Sequence, residues 1–461
     1  TRIFEDISYM MSHKTWIRGW LFFCLFPAIN GMAGDWPMWR YDAGRTAASP
    51  DELPGALHPL WTREYPPLEP VWDDPLNRDL MSFDTVYEPV VSGKTMFIGS
   101  NACDRMTALD TETGAEKWAF YADGPVRLPP VVDQGKIFFA SDDGFLYCVD
   151  AETGILVWKY SCVPSREKIL GNERLISPWP ARGGPVVKDG IVYFAAGIWP
   201  FMGVFICALD ARTGEEIWVN DSTGSSFIKQ PHNSPAFAGV APQGSLVIAG
   251  DKLLVPGGRS APACFDLKTG QFLYYRLAEN QKTGGAFVAA LGPHFVNYHR
   301  DQAVNLFDLE TGNRLIDRFG AMPVLTGEVF YGRGESVQAF DIAQLRKVEY
   351  EKIEKDADTG KVKVTTAVKW EMDTRWELPV DATGDLIKAG HRLYAGGKNL
   401  VTAIDLSLPN APAIVWQDEI TGTASRLIAA DGKLFVVTRE GRIHAFGARP
   451  AEPLAYRHVI P

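Results

Sequence analysis

Positive charge is in short supply. The 461 residues hold 46 Lys and Arg against 56 Asp and Glu, a formal net charge of −10. So acidic a surface does not wrap a phosphate backbone, and general nucleic-acid binding is excluded. Cysteine is sparse: Cys24, Cys103, Cys148, Cys162, Cys207 and Cys264, none adjacent and none in Cys-x-x-Cys or Cys-x-x-Cys-His spacing. That excludes a thiolate zinc site, a dithiol redox motif and c-type haem attachment. The eight His are scattered without metal-ligand spacing. A long hydrophobic run is missing as well. The apolar stretch from Ile17, about 13 residues, is too short to span a bilayer. It follows a basic start and ends near Gly31 and Ala33, the pattern of a secretory signal. Residues 1–33 are therefore expected to be a signal peptide with upstream residues, 1–9 preceding the first Met. Leu21-Phe22-Phe23-Cys24 has bulky Phe where a lipoprotein cleavage box has small residues. The compartment expected is periplasmic or extracellular, with no transmembrane span once the signal is removed.

What the chain does have is turns and tryptophan: 43 Gly, 31 Pro and 14 Trp in an otherwise ordinary globular composition, 46% hydrophobic and 22% charged. Three segments align without gaps: Asp110-Thr-Glu-Thr-Gly114 with Trp118, Asp150-Ala-Glu-Thr-Gly154 with Trp158, and Asp210-Ala-Arg-Thr-Gly214 with Trp218. Each is preceded by two apolar residues. Weaker copies follow at Asp266–Gly270, with Tyr274 at the Trp place, and at Asp308–Gly312, with Ile316. Asp341 and Asp405 keep only the Asp. The pattern reads as a β-hairpin. The Asp carboxylate accepts from backbone N–H groups just ahead of it, and Gly closes the turn at positive φ.

A second marker is a Gly opening a short apolar strand, at Gly93, Gly135, Gly190, Gly250, Gly292, Gly327, Gly390 and Gly432. Another apolar run precedes each one. Four antiparallel strands recurring every ~40–45 residues describe propeller blades. The fold class expected is all-β, an eight-bladed β-propeller, with seven blades as the alternative. The last unit stops after its third strand, at Ile443–Phe446. Pro59-Leu-Trp61-Thr-Arg-Glu-Tyr65 belongs to no preceding hairpin, so it is expected to supply the missing fourth strand and close the ring. The domain reading is 34–58 lead-in, 59–447 propeller and 448–461 tail.

On these residues the chain resembles the pyrroloquinoline-quinone-like (PQQ-like) propeller repeat over roughly 59–447. It looks closer to the non-enzymatic outer-membrane-protein assembly lipoproteins than to the quinoprotein dehydrogenases. The resemblance implies that Trp118, Trp158 and Trp218 dock on neighbouring blades. A dehydrogenase of this type would hold PQQ with Ca²⁺, and often covers the cofactor with a vicinal Cys–Cys disulfide, which this chain lacks. The lead-in pattern at Trp36-Pro37, Arg40 and Thr46 is similar to that ahead of many secreted propellers.

Cys148, Cys207 and Cys264 read as small core residues. A disulfide involving Cys162 stays open in an oxidising compartment. Gly239–Gly244 and Gly332–Gly334 are turn glycines that open no helix, and Ser141-Asp142-Asp143-Gly144 reads as a hairpin turn. No catalytic constellation stands out. Arg127, Arg182 and His232 each stand three residues before a Pro (Pro130, Pro185, Pro235), with Trp179 and Asn233 beside them. Equivalent heights in a radial fold would gather them at the funnel mouth, as a cationic site for an anionic ligand or acidic partner segment. Residues 162–182 form a long connection. Residues 346–369, alternating on both sides of Asp358-Thr359-Gly360, are expected to form a protruding hairpin. The function expected is a monomeric, non-enzymatic scaffold without cofactor, binding a protein partner or small anionic ligand. The alternatives are a PQQ- and Ca-dependent dehydrogenase of alcohols or sugars, and a carbohydrate-binding propeller.

Overall fold

Each Asp-x-x-Thr-Gly segment folds as its spacing demands. At Asp110, Oδ1 accepts from Glu112 N (3.1 Å), Thr113 N (2.9 Å) and the Thr113 hydroxyl (3.0 Å). The same three bonds recur at Asp150, Asp210 and Asp266, and two of them at Asp308. The hydroxyl and N–H of Thr153 hold the Asp150 carboxyl below the usual carboxylate range. Glycine is needed for two reasons. Gly154 has φ +73°, and a Cβ there would sit 2.7 Å from Trp118 of the preceding sheet.

The computed structural model describes residues 34–68, 70–71, 83–171, 173–224, 226–229, 233–258, 260–277, 283–299, 303–355 and 362–457. All lie in one compact unit, 33–461. The expected signal peptide, with Cys24, lies outside the described residues. Strands dominate. Six four-stranded antiparallel meanders span 90–121, 131–160, 183–220, 247–277, 283–319 and 321–378. Two more are joined by the long strand Ala413–Ala430. It ends the meander that begins at Asp385–Ala389, then opens the next with Lys433–Thr438 and Arg442–Gly447. Strand His58–Glu64 pairs antiparallel with Arg442–Gly447, setting Trp61 opposite Ala445. Leu454–Arg457, inside the expected tail, adds a parallel strand to the far edge of His58–Glu64. First strands of successive sheets touch one another, and Val90–Ser92 of the first touches Ala413–Ala430. Runs such as Lys136–Ala140 and Ile191–Ala196 are buried on both faces. That explains their continuous apolar character.

The aromatic docking implied by the repeat is present. Trp118 Nε1 donates to Ala151 O (3.2 Å), Trp218 Nε1 to Leu267 O (3.2 Å) and the Tyr274 hydroxyl to Leu309 O (2.7 Å), each across to the next sheet. Trp61 does the same with Thr111 O (2.9 Å) and packs on Gly114. Trp158 packs on Gly214, but its Nε1 has no hydrogen-bond partner among the described residues. The two strands of the expected hairpin within 346–369 pair, with Arg346 opposite Glu371 and Lys355 opposite Val362, and its turn at Asp358–Gly360 lies outside the described residues. Cys148, Cys207 and Cys264 are buried core residues.

Candidate functional site

Residues 34–49 lack periodicity because they belong to no blade. Instead their backbone reaches one sheet after another. Gly34 O accepts from Asp431 N (2.9 Å), and Trp36 exchanges two bonds with Val91 (2.8 and 2.9 Å). Pro37 O accepts from Val132 N (2.8 Å), Ala43 O from Ile248 N (2.8 Å) and Gly44 O from Ala290 N (2.7 Å). Thr46 O accepts from Leu325 N (2.9 Å) and Ala47 O from Lys388 N (2.9 Å). The remaining sheet is reached by a side chain: Arg45 Nη2 donates to Pro185 O (3.0 Å) and to Leu246 O (2.8 Å). Arg45 is fully buried, and burial pulls it down to about 9, so it stays charged at neutral pH. Arg40, Tyr41, Arg45 and Ala47 all have left-handed φ. Such strain persists where surrounding bonds over-determine the path, as they do here.

Buried charges lie against this segment. Arg426 Nε meets Glu88 Oε1 at 2.6 Å, and Arg40 Nη1 lies 3.8 Å from Asp385 Oδ1. Asp385 Oδ2 also accepts from Leu427 N (2.9 Å). Burial, working against Arg426, pushes Glu88 up to about 7. Burial lowers Arg40 to about 10, which leaves it cationic. The hollow between Trp39, Phe287, Tyr298, Met322 and these charges is ≈ 10 Å³, roughly the space of one water.

Arg127 and Arg182 do meet, on a shared carboxylate. Arg182 holds Asp142 through Nε (2.9 Å) and Nη2 (3.0 Å), and Arg127 Nε takes Oδ2 at 2.6 Å. Arg127 Nη1 also pairs with Asp84 (2.7 Å), which caps Val71 N (3.0 Å). Burial pushes Asp142 up, but Arg182 and then Arg127 outweigh it and hold the carboxyl below its usual range. These two arginines are thus matched by two carboxylates, and both guanidinium side chains are buried. Trp179 sits apart from them in bonding, its Nε1 donating to Met202 O (2.8 Å). Asn233 is exposed, in left-handed backbone, and His232 lies outside the described residues.

The shared offset before Pro235 misleads. Pro235–Ala238 pairs with Ser226–Lys229 in a separate hairpin, and the first strand of the fourth sheet is Val247–Ala249. Pro235 therefore does not occupy the first-strand position that Pro130 and Pro185 mark, and the shared offset carries no equivalence for Asn233. Sequence reasoning missed Asp142 and Asp84. The signal for Asp142 was available: a polar turn, Ser141–Gly144, at the mouth end of the sheet that carries Arg127.

The resemblance implies PQQ and Ca²⁺, and the buried carboxylates Asp142, Glu88 and Asp385 are not free to hold the metal. Ca²⁺ needs six to eight oxygen ligands, and a planar cofactor needs a slot of several hundred Å³. Here the three carboxylates each face an arginine and the hollow beside Asp385 holds about one water, whereas a hollow of ≈ 640 Å³ opens elsewhere, among Glu52, Tyr331, Trp376 and His391. No cluster of three or more His, Cys, Asp or Glu with metal-binding geometry occurs among the described residues.

The fold defines a PQQ-like β-propeller whose lead-in bonds to its sheets one after another. The sequence profile of the family described as outer membrane protein assembly factor BamB matches residues 60–315 and again 206–450, and the chain belongs to that family. It is also similar to the dehydrogenase subunit of the quinone alcohol dehydrogenase of Gluconobacter oxydans. That match is 28% identical over 201 residues, 41% of this chain and 25% of the relative. Tetrathionate hydrolase of Acidithiobacillus ferrooxidans is 26% identical over 195 residues, 41% of this chain and 36% of that one. The chain thus spans little more than a third of these relatives at most. Among solved structures, BamB from Moraxella catarrhalis aligns with TM-score 0.52 at 13% identity, over 85% of this chain and all of that one. A europium-containing methanol dehydrogenase aligns with TM-score 0.55 at 14% identity, over 90% and 98%. At such identities the likeness is one of fold. No helix among the described residues is long and apolar enough to cross a membrane.

Proposed function

We propose that the repeats form a ring of eight blades closed by His58–Glu64, and that the chain works outside the cytoplasm as a non-enzymatic binding scaffold. One observation carries this reading: the lead-in bonds to sheet after sheet, and the buried carboxylates are already taken. Residues 34–49 hydrogen-bond across the sheets, and Asp142 and Glu88 are each paired with arginine. Affinity would then come from peripheral surfaces. The hairpin of 346–369 is one such surface, with Ile353, Val362, Val364 and Val368 exposed on one face. Membership of a family named for an assembly factor supports a protein partner. The Arg127–Arg182 mouth remains a second candidate, for an anionic segment able to displace Asp142 or Asp84.

The rival reading is a quinoprotein dehydrogenase, favoured by the partial match to the quinone alcohol dehydrogenase. Adding PQQ and Ca²⁺ to purified protein separates the two. We expect no cofactor absorbance and no dye-linked oxidation of alcohols or sugars. Turnover would sink the scaffold reading. Capture of a partner from the envelope fraction by wild type, lost when Arg127 and Arg182 are both Ala or when the hairpin is removed, would locate the surface.

A further inference from the structure

Cys162 and Cys207 face each other across the joint between the second and third sheets. Cys162 follows the last strand of the second sheet, Leu156–Tyr160, and Cys207 lies within Phe205–Asp210 of the third. Their sulfurs are in contact, 2.7 Å apart, and both thiols are free. Cys207 is fully buried and Cys162 half-buried, and both belong to the same packed cluster as Trp158 and Tyr160. The joint is also unusual in another way. Trp61, Trp118 and Trp218 tie their joints with an indole N–H to a backbone carbonyl, and Trp158 does not. Beside Trp158, Tyr160 bonds Glu216 across the joint (2.6 Å) and the two sulfurs meet, while Arg182 bonds Asp142 elsewhere along it.

We propose that Cys162 and Cys207 form a disulfide that staples the second sheet to the third. The oxidant is a small or protein disulfide. The half-exposed Cys162 thiolate attacks it, breaking its S–S bond and releasing one thiol. The Cys207 thiolate then attacks the Cys162 sulfur of the mixed disulfide and releases the second thiol. Two cysteines lose two protons and two electrons, and the oxidant's two sulfurs gain them. Burial, with the neighbouring Cys162 sulfur second, pushes the Cys207 thiol well up. Cys162 is therefore the entry point and Cys207 the slower, resolving thiol. Formation in the cell rests on the export reading, whereas formation in a purified sample does not.

The test is oxidation of the full chain with oxidised glutathione, alkylation of remaining thiols and tryptic mapping without reduction. The expected result is a loss of two titratable thiols and one linked pair, Tyr160–Arg166 with the peptide of residues 189–212. Cys162→Ser and Cys207→Ser each remove the link. Cys162→Ser changes a half-exposed residue and keeps the control independent of core packing. The linked protein should lose a few degrees of melting temperature on reduction, and Cys162→Ser should lose none. No linked pair, or a link through Cys103, Cys148 or Cys264, overturns the pairing. A linked protein that melts alike with and without reductant overturns the stapling role. If the pair links in vitro but both thiols are alkylated in protein taken directly from cells, the export reading fails and the pairing stands.

Discussion

Trp61 and Trp118 do the same work at two joints, with different burial. Both donate an indole N–H to the next sheet and pack on a turn glycine, but Trp61 is 1% exposed and Trp118 half-buried. Trp61→Ala removes a fully buried ring and should cost about 3–5 kcal/mol, with Trp118→Ala costing less. Urea denaturation of the two variants would read the difference, and equal small losses would contradict it. Glu88 allows a pH prediction. Its carboxyl titrates near 4.5 when unfolded and near 7 when folded. Between those values the folded chain binds more protons, so stability falls as pH rises from about 4.5 to about 7 and then levels. Glu88→Gln should flatten that slope in melting curves taken across this range. The repeat residues were legible because their job is local: an Asp accepting from the residues two and three ahead leaves a fixed spacing. Asp142 was not. Its partners, Arg127 and Arg182, lie 15 and 40 positions away in the chain, and nothing in its own turn announces them.

Among the elements, the hairpin and the lead-in were legible to different degrees. The hairpin of 346–369 announced itself by alternation, which is the signature of a strand wet on one side. Replacing 347–368 with a tight turn should leave the melting temperature nearly unchanged, since its outer face buries little, and should reduce partner capture. Full capture by that variant would move the docking surface elsewhere. The lead-in gave only its pattern of Trp36-Pro37, Arg40 and Thr46. Its path depends on carbonyls of distant sheets, which carry no side-chain signal. Arg45→Met keeps much of the bulk but leaves the carbonyls of Pro185 and Leu246 without their donor. Each buried group left unsatisfied costs about 1–3 kcal/mol. Chemical denaturation should show that loss, and a neutral outcome would mean that water replaces the guanidinium. The 221–246 connection shows the opposite error. A shared Pro offset imitated a blade, because local spacing cannot report which strand a segment pairs with.

For the whole molecule, periodicity carried most of the architecture, since each sheet repeats the same hydrogen-bonded geometry. What it left out are the long-range additions: the strand Leu454–Arg457 beyond His58–Glu64, and the backbone contacts of residues 34–49 with sheet after sheet. The strand His58–Glu64 is held on one edge by Arg442–Gly447 and on the other by Leu454–Arg457. Residues 58–64 are therefore synthesised long before either neighbour exists. Until then Trp61 has no sheet to complete, and contacts this distant in sequence form slowly. A product halted before residue 442 should bind a hydrophobic dye and fall quickly to protease, whereas one halted at 450 should resist better. The molecule thus carries its own proof of completion: only a chain read through to its closing strands can put that early tryptophan out of the reach of chaperones and proteases.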